Sequence, residues 1–594
     1  MKYPTLSELN TSREWLDVFR GYNHNLRIGE GEFYEMKNLS SDNYPILSPR
    51  PKRGIYASPQ GEMDHQGMVA KDSLCYTEGS ELIINEYRID MGLKEYKDKK
   101  GNIIPKTLIS MGAYIIIMPD KKYINTENYS DNGPIEASVT TSGQVSFELC
   151  KVDGSAYENT KVQATSPEIT EAMEKDPSTI PLWLDTSNTP HSLKQYSTSS
   201  AMWSTIATTY IKITATGIGK PFEVNDGVTI SGIEDKALED LNASIIIQAK
   251  GDNYIVVTGI LDKVTTQEKA IKVERRMPEM DFIVESGNRL WGCRYGEQGD
   301  QIVNEIYACK LGDFKNWSCY QGISTDSYAA SVGTDGQFTG AITHLGYPIF
   351  FKENYMHKVY GNYPANYQIQ TTACRGVQKG CGKSLAIVNE VLYYKSRSGI
   401  CAYDGSLPTE ISSALGDVAY SKAVAGHIGN KYYVSMCDEN GVYHLFVYDT
   451  LKGMWHREDN REVADFCNCR GDLYFIDREF NQIRTVRGTG TKETTPIHWE
   501  AVTGVIGTDS PDKKYISRLD VRMLLEVGAS VSFYAEYDSS GEWKHLFSMD
   551  GVKLHSFAVP IRPQRCDHLR LKITGVGDAK IFSICKTIEW GSDV

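Results

Sequence analysis

The chain has 594 residues, 41% hydrophobic and 23% charged, which allows packed cores and excludes wholesale disorder. Its net charge of -13 excludes a protein that grips nucleic acid through its phosphates, since that needs a basic face. A channel along which DNA slides without sticking stays open, because an acidic wall repels phosphates.

The opening residues Met1-Lys2-Tyr3-Pro4-Thr5 lack the apolar run of a signal peptide. The 13 cysteines are odd in number and scattered, which points to free thiols in a reducing cytoplasm. No apolar run approaches the roughly 18 residues of a membrane-spanning helix.

In chain order, Ser12 is placed to cap a short helix through Trp15, Leu16, Val18 and Phe19. Pro45, Pro49 and Pro51 keep the following segment extended, as a surface strand tying the N-terminus to the body. The basic cluster Arg50, Lys52 and Arg53 reads as a solvated edge rather than a phosphate site.

A repeat then begins: a turn, an aromatic-rich strand, a second turn and a second strand. It is clearest in Gly429–Trp455, where Gly429-Asn430 opens a strand through Tyr432, Val434 and Met436. Asn440-Gly441 turns that strand back as a two-residue hairpin, and Tyr443 to Tyr448 forms the next. The same grammar recurs at Leu74 to Ile84, Ala113 to Ile124, Leu290 to Tyr307, Tyr347 to Tyr360, Val391 to Tyr403 and Leu473 to Ile483. About seven such units, mostly spaced about 40 to 58 residues apart, predict a β-propeller. Trp291, Trp317, Tyr403, Tyr448 and Trp455 are expected to pack between blades.

Residues 131–280 break the period and read as an inserted β-rich domain with one short helix, Pro167 to Lys175, capped by Ser166. From residue 495 strict alternation, as in Val531, Phe533, Ala535 and Tyr537, predicts an antiparallel β-sandwich. The expected organisation is all-β: an extended leader (1–60), two propeller parts (61–130 and 281–494), the insertion between them, and a C-terminal sandwich (495–594).

Motifs for chemistry are few. Gly380-Cys381-Gly382-Lys383-Ser384 lacks the glycine a phosphate loop needs, because Val377 holds that position. Cys467 and Cys469 have no second pair at zinc spacing. His427, His444 and His456 read as structural histidines, and Asp300, Glu305, Asp326 and Asp335 are glycosidase candidates only through proximity to turns. No Gly-x-Ser-x-Gly, His-Glu-x-x-His or sialidase box occurs. The expectation is therefore no catalytic site, no cofactor, no metal and no enzymatic activity.

Three features carry a resemblance. They are Asn38-Leu39 followed by Pro45-Ile46-Leu47-Ser48-Pro49-Arg50-Pro51, the blade series with Gly287-Asn288-Arg289-Leu290-Trp291 and Tyr448-Asp449-Thr450-Leu451-Lys452-Gly453-Met454-Trp455, and the terminal domain opening near Trp499-Glu500-Ala501-Val502-Thr503-Gly504. In order and motif the chain resembles the tail nozzle, or hub, proteins of podovirus-like bacteriophages and prophages. The leader departs from the family pattern with Lys52-Arg53-Gly54.

The resemblance implies a virion tail protein assembled in the bacterial cytoplasm. It implies a homo-oligomeric ring, usually a hexamer, below the portal and adaptor, contacting tail fibres, with phage DNA leaving through its channel. The alternatives are another tail component, such as a receptor-binding or fibre-attachment propeller, or a propeller glycosidase acting on host polysaccharide.

Overall fold

A computed structural model describes residues 11–59, 64–97, 101, 103–298, 301–320, 322–323, 326–508, 513–551 and 553–590. Asp300, one of the candidate acids, lies outside the described residues. The fold is all-β: a β-propeller, an inserted β-rich domain and a C-terminal antiparallel β-sandwich.

Among the described residues, seven antiparallel meanders follow one another, at 65–90, 107–134, 282–331, 340–373, 386–410, 421–457 and 463–485. Four of them begin on an innermost strand. The innermost strands Ala386–Val388, Ser421–Ile428, Val463–Cys469 and His65–Ala70 lie beside one another in that order, as blades of a propeller do. Every residue from Tyr432 to Cys437 is buried, because a central blade strand is covered on both faces. The seventh meander takes its fourth strand, Gly54–Ala57, from the N-terminal segment, and Thr491–Lys492 pairs on its far side.

The turn at Asn440-Gly441 differs from the two-residue hairpin expected. Asp438 N donates to Val442 O (2.9 Å), leaving Glu439, Asn440 and Gly441 as a three-residue loop. The Asp438 carboxylate accepts from the amides of Asn440 and Val442, both at 2.9 Å, and Gly441 takes the left-handed conformation such a loop needs (φ +82°).

The chain divides into two compact units. One comprises 1–110, 336–358 and 370–594 and holds the sandwich; the other comprises 111–335 and 359–369 and holds the insertion. In the second unit, the sheet Ala137–Thr140, Lys272–Arg275, Gly227–Ser231, Ser244–Ile246 and a five-stranded sheet share a core including Phe147, Ile213, Phe222, Val228, Ile255 and Val257. The buried pair Arg275–Asp226 ties two segments of this domain. The predicted helix is shorter than expected, Glu171–Lys175, with Thr170 at the N-cap. Thr170 is extended, with φ −91° and ψ 156°, so the helix cannot run back to Pro167.

In the first unit the N-terminal segment is a structural hub. The helix expected near Ser12 is instead the strand Thr11–Leu16, antiparallel to Ala579–Trp590 with Thr11 opposite Glu589. Alternation along this stretch suits one face of a sheet once a partner strand is present. Glu32–Lys37 pairs with His498–Thr503, and Gly21–Tyr22 pairs with the sixth meander at Trp455. The result is one ten-stranded sheet running from the sixth meander through the N-terminal strands into the sandwich. The second sandwich sheet is Thr11–Leu16, Ala579–Trp590, Lys514–Leu525 and His555–Val559. Val531, Phe533 and Ala535 face inward with Leu519, Val521, Met523 and Ile581 in a common core.

The basic cluster is not a solvated edge. Arg53 is 1% exposed, and its guanidinium meets Glu458 Oε2 and Asp459 Oδ2, each at 2.6 Å. Arg50 is buried too, bonded to Asn38 Oδ1 (2.9 Å) and Glu493 Oε2 (3.2 Å); of the three, Lys52 alone is exposed. Burial alone would raise the Asp459 carboxyl, but the charges of Arg53 and Arg50 hold it below its ordinary value.

Arg53→Met removes the charge and keeps a similar apolar stem, leaving the buried Glu458 carboxylate without its cation and Asp459 with only the longer contact to Arg461 (3.9 Å). Thermal and urea unfolding should show a loss of about 3–5 kcal/mol, the usual cost of breaking a buried ion pair. A loss within the scatter of surface substitutions would mean the pair is a passive contact.

Candidate functional site

On the fifth meander, a cleft of about 490 Å³ opens between two loops. One is the turn 396–399, which joins Val391–Lys395 to Ile400–Tyr403; the other is the crossover 411–420, which leads into the sixth meander. Both loops lie on one edge of the blade, because the strands they follow, Val391–Lys395 and Thr409–Glu410, both run antiparallel to Ile400–Tyr403 between them.

Hydrogen bonds set the loops. Ser412 Oγ accepts from Ile400 N (2.9 Å) and donates to Glu410 Oε1 (3.4 Å). Asn25 Nδ2 donates to Ser413 O (2.8 Å), and His24 N to Ala414 O (2.8 Å), so the N-terminal segment braces the crossover. Trp455 Nε1 donates to Ile411 O (2.9 Å) from the next blade.

The lining mixes charge and hydroxyls. Glu410 pairs with Arg375 (2.7 Å), while Arg397 and Asp417 are exposed. The Lys395 ammonium is buried, donating to Gln378 Oε1 (2.7 Å) and Ser396 O (2.6 Å), and burial lowers its pKa. Burial likewise pushes the Tyr420 hydroxyl up to about 12, so it stays neutral. Two carboxylates, a guanidinium and several hydroxyls suit a hydroxyl-rich ligand bound by directional hydrogen bonds.

The predicted packing residues fall in different places. Tyr403 lies 5.5 Å from the His344 ring of the preceding meander. Tyr448 lies 6.1 Å from Tyr393 of the preceding meander and 4.9 Å from Trp455. Trp291 is buried, 4.9 Å from Tyr367 and 6.0 Å from Tyr328. Trp317 is also buried and donates within its own meander, to Phe314 O (2.9 Å).

Among the described residues, the candidate chemical residues have separate partners. Asp326 is tied to Arg289 (2.6 Å), Glu305 accepts from Ser331 Oγ (3.4 Å), and Asp335 is exposed. Gly382–Ser384 is a single 3₁₀ turn leading into a strand, with Lys383 paired to Asp465 (3.0 Å). The cysteines are free thiols, and burial raises the pKa of both Cys467 and Cys469. His444 bonds Asp438 (3.0 Å), whereas His427 and His456 lie on other strands of the blade. Among the described residues, no group of three or more His, Cys, Asp or Glu side chains could hold a metal ion.

The cleft residues Glu410, Asp417, Arg397 and Asn25 form no motif. Their nearest sequence signal is the small, polar crossover Ser412-Ser413-Ala414-Leu415-Gly416-Asp417.

No protein-family model matches the chain, and no curated protein sequence does. Solved structures similar to it include an exo-β-1,3-galactanase from Phanerochaete chrysosporium, with 9% identity over 51% of this chain and 94% of that one and a TM-score of 0.22. A Trypanosoma rangeli sialidase in complex with sialic acid has 10% identity over 83% and 93%, with a TM-score of 0.21. A GH43 glycoside hydrolase engineered for endo-xylanase and exo-arabinofuranosidase activity has 8% identity over 52% and 97%, with a TM-score of 0.20.

These similar chains are enzymes, so the expectation that this chain is not one does not stand on its missing motifs, while at TM-scores of 0.20 to 0.22 the likeness assigns it no activity. The physical reason is that loops of separate blades can assemble a catalytic group that leaves no contiguous motif.

His456 is enclosed, and burial holds its pKa down to about 3, with Lys431 and Lys452 opposing protonation and Asp449 and Asp42 favouring it. The unfolded chain therefore binds more protons between about pH 6.5 and 3, so stability falls as pH drops through that window. The His456 contribution is about 1.4 kcal/mol per pH unit below 6.5. Thermal melts of His456→Gln against the parent should show a shallower acid slope; parallel slopes would count against it.

Proposed function

We propose that the chain is a structural component of a virion tail, of the nozzle or hub type. It would form a homo-oligomeric ring, a hexamer by the resemblance, between portal–adaptor and tail fibres, with DNA leaving through the channel.

The observation that supports this reading most is the ten-stranded sheet that joins propeller and sandwich through the N-terminal strands. Backbone ladders across that junction suit a body that must transmit load without hinging. A net charge of -13 suits a wall that releases DNA rather than holding it. Among the described residues, no helix is long and apolar enough to cross a membrane.

The cleft favours a second reading, a propeller protein acting on host polysaccharide. There Glu410 and Asp417 would be the carboxylates facing the sugar and Arg397 an orienting cation, with the hydroxyls of the crossover holding the ring.

Light scattering after size exclusion, with negative-stain imaging, separates the two. A six-membered ring with a central hole is the outcome expected of a nozzle. A monomer or trimer that releases sugar from bacterial envelope, and loses that activity by about 10²-fold or more in Glu410→Gln or Asp417→Asn, would establish the second reading instead.

A further inference from the structure

The outer face of the sandwich sheet carries a strip of side chains that core packing does not use. Along Leu569–Val576, Leu569, Leu571 and Ile573 are buried, while Arg570, Lys572 and Thr574 point outward. Opposite Lys572 stands Tyr534, and beyond it His545; opposite Thr574 stands Ser532, and beyond it Ser548. The Ser532 and Ser548 hydroxyls are 2.7 Å apart, and His545 Nε2 is 2.7 Å from Ser548 Oγ.

Two rings hold the cation. The Lys572 ammonium lies 4.5 Å from the centre of Trp543 and 5.3 Å from that of Tyr534. Arg570 lies 4.8 Å from the Tyr34 ring and is paired with Glu536 (3.6 Å). Among the described residues, no carboxylate pairs with Lys572. An aromatic face orients an ammonium but leaves its charge in place. Beside this strip lies a hollow of about 270 Å³, lined in part by Lys37, Glu500, Ser530, Ser532 and Thr574.

We propose that this face binds an acidic polysaccharide. A sugar carboxylate meets Lys572 between Trp543 and Tyr534, and neighbouring hydroxyls meet the Ser532–Thr574 hollow. The ring faces of Trp543 and Tyr534 suit the C–H face of a sugar, and the hollow supplies donors and acceptors for its hydroxyls. A nucleic acid fits less well. A phosphate at every nucleotide needs a row of unneutralised cations, whereas Arg570 is already paired and Glu500 and Asp550 border the strip. A glycan with one carboxylate per sugar asks for fewer. This inference does not depend on the nozzle or the cleft reading.

The test is titration calorimetry of the full chain with polygalacturonate and polysialate fragments, a neutral galactan fragment and an oligothymidylate. At least one carboxylated glycan should bind, with the neutral galactan weaker by about tenfold or more and the oligothymidylate weaker still. Lys572→Gln and Trp543→Ala should each weaken binding by about tenfold, and Lys572→Arg should largely retain it. Ser532→Trp fills the hollow without removing the cation and should also abolish binding, with an unchanged thermal midpoint showing that the fold is intact. Equal binding of the galactan, preference for the oligothymidylate, unchanged affinity in Lys572→Gln, or no binding to either acidic glycan would overturn the proposal.

Discussion

Arg53 is enclosed between Glu458 and Asp459, two carboxylates distant in sequence that lie between the sixth and seventh meanders. Taking a guanidinium and two carboxylates out of water is costly, and only close geometry offsets it. The arrangement is therefore stable in one position and poor in any slipped one. Arg50, Arg484 and Glu493 extend it, so the N-terminal segment, the sixth-to-seventh crossover and the chain after the seventh meander are fixed to one another. The next residue, Gly54, begins the fourth strand of the seventh meander. A Cβ there would stand 2.0 Å from Thr489 O, so only glycine permits this approach. A misplaced Arg53 would put that strand out of register.

From this fixed point the leader runs back toward the sandwich. Leu39 and Ser40 pair with Pro49 and Ser48, Asn38 Nδ2 donates to His498 O (2.7 Å), and Glu32–Lys37 enters the sandwich sheet. Asn25 and His24 then brace the cleft crossover. A single segment of about forty residues thus holds blade, cleft and sandwich together. The cleft and the outer sandwich face accordingly fall in the same compact unit.

Much of the architecture was legible in the sequence because it is local. Turn residues and alternating aromatics mark each blade hairpin, and strict alternation at Val531, Phe533 and Ala535 marks the sandwich. What escaped is non-local. The Thr11–Leu16 strand exists because Ala579–Trp590 lies beside it, and nothing within residues 11–16 announces that partner. Arg50 and Arg53 resemble a solvated cluster until Glu458, Asp459 and Glu493 arrive from more than 400 residues away. The loop at Asn440-Gly441 lengthened because the Asp438 side chain supplies bonds that backbone periodicity does not encode. The cleft was missed for a related reason: Asn25, Arg397 and Asp417 come from three loops and Glu410 from the end of a short strand.

Two of the ways in which this chain treats enclosed or half-enclosed cations differ in what they leave free. Arg53, Arg50, Arg275 and Arg289 each meet a carboxylate, so their charge is consumed in holding segments together. Lys572 is held by ring faces instead, which fix its position and leave its field available. A cation already paired with carboxylates gains less from a further anion than an unpaired one does. A cation positioned by aromatics gains a partner at no such loss. On a chain of net charge -13, an ammonium kept in that state sits where an anionic ligand would otherwise be repelled.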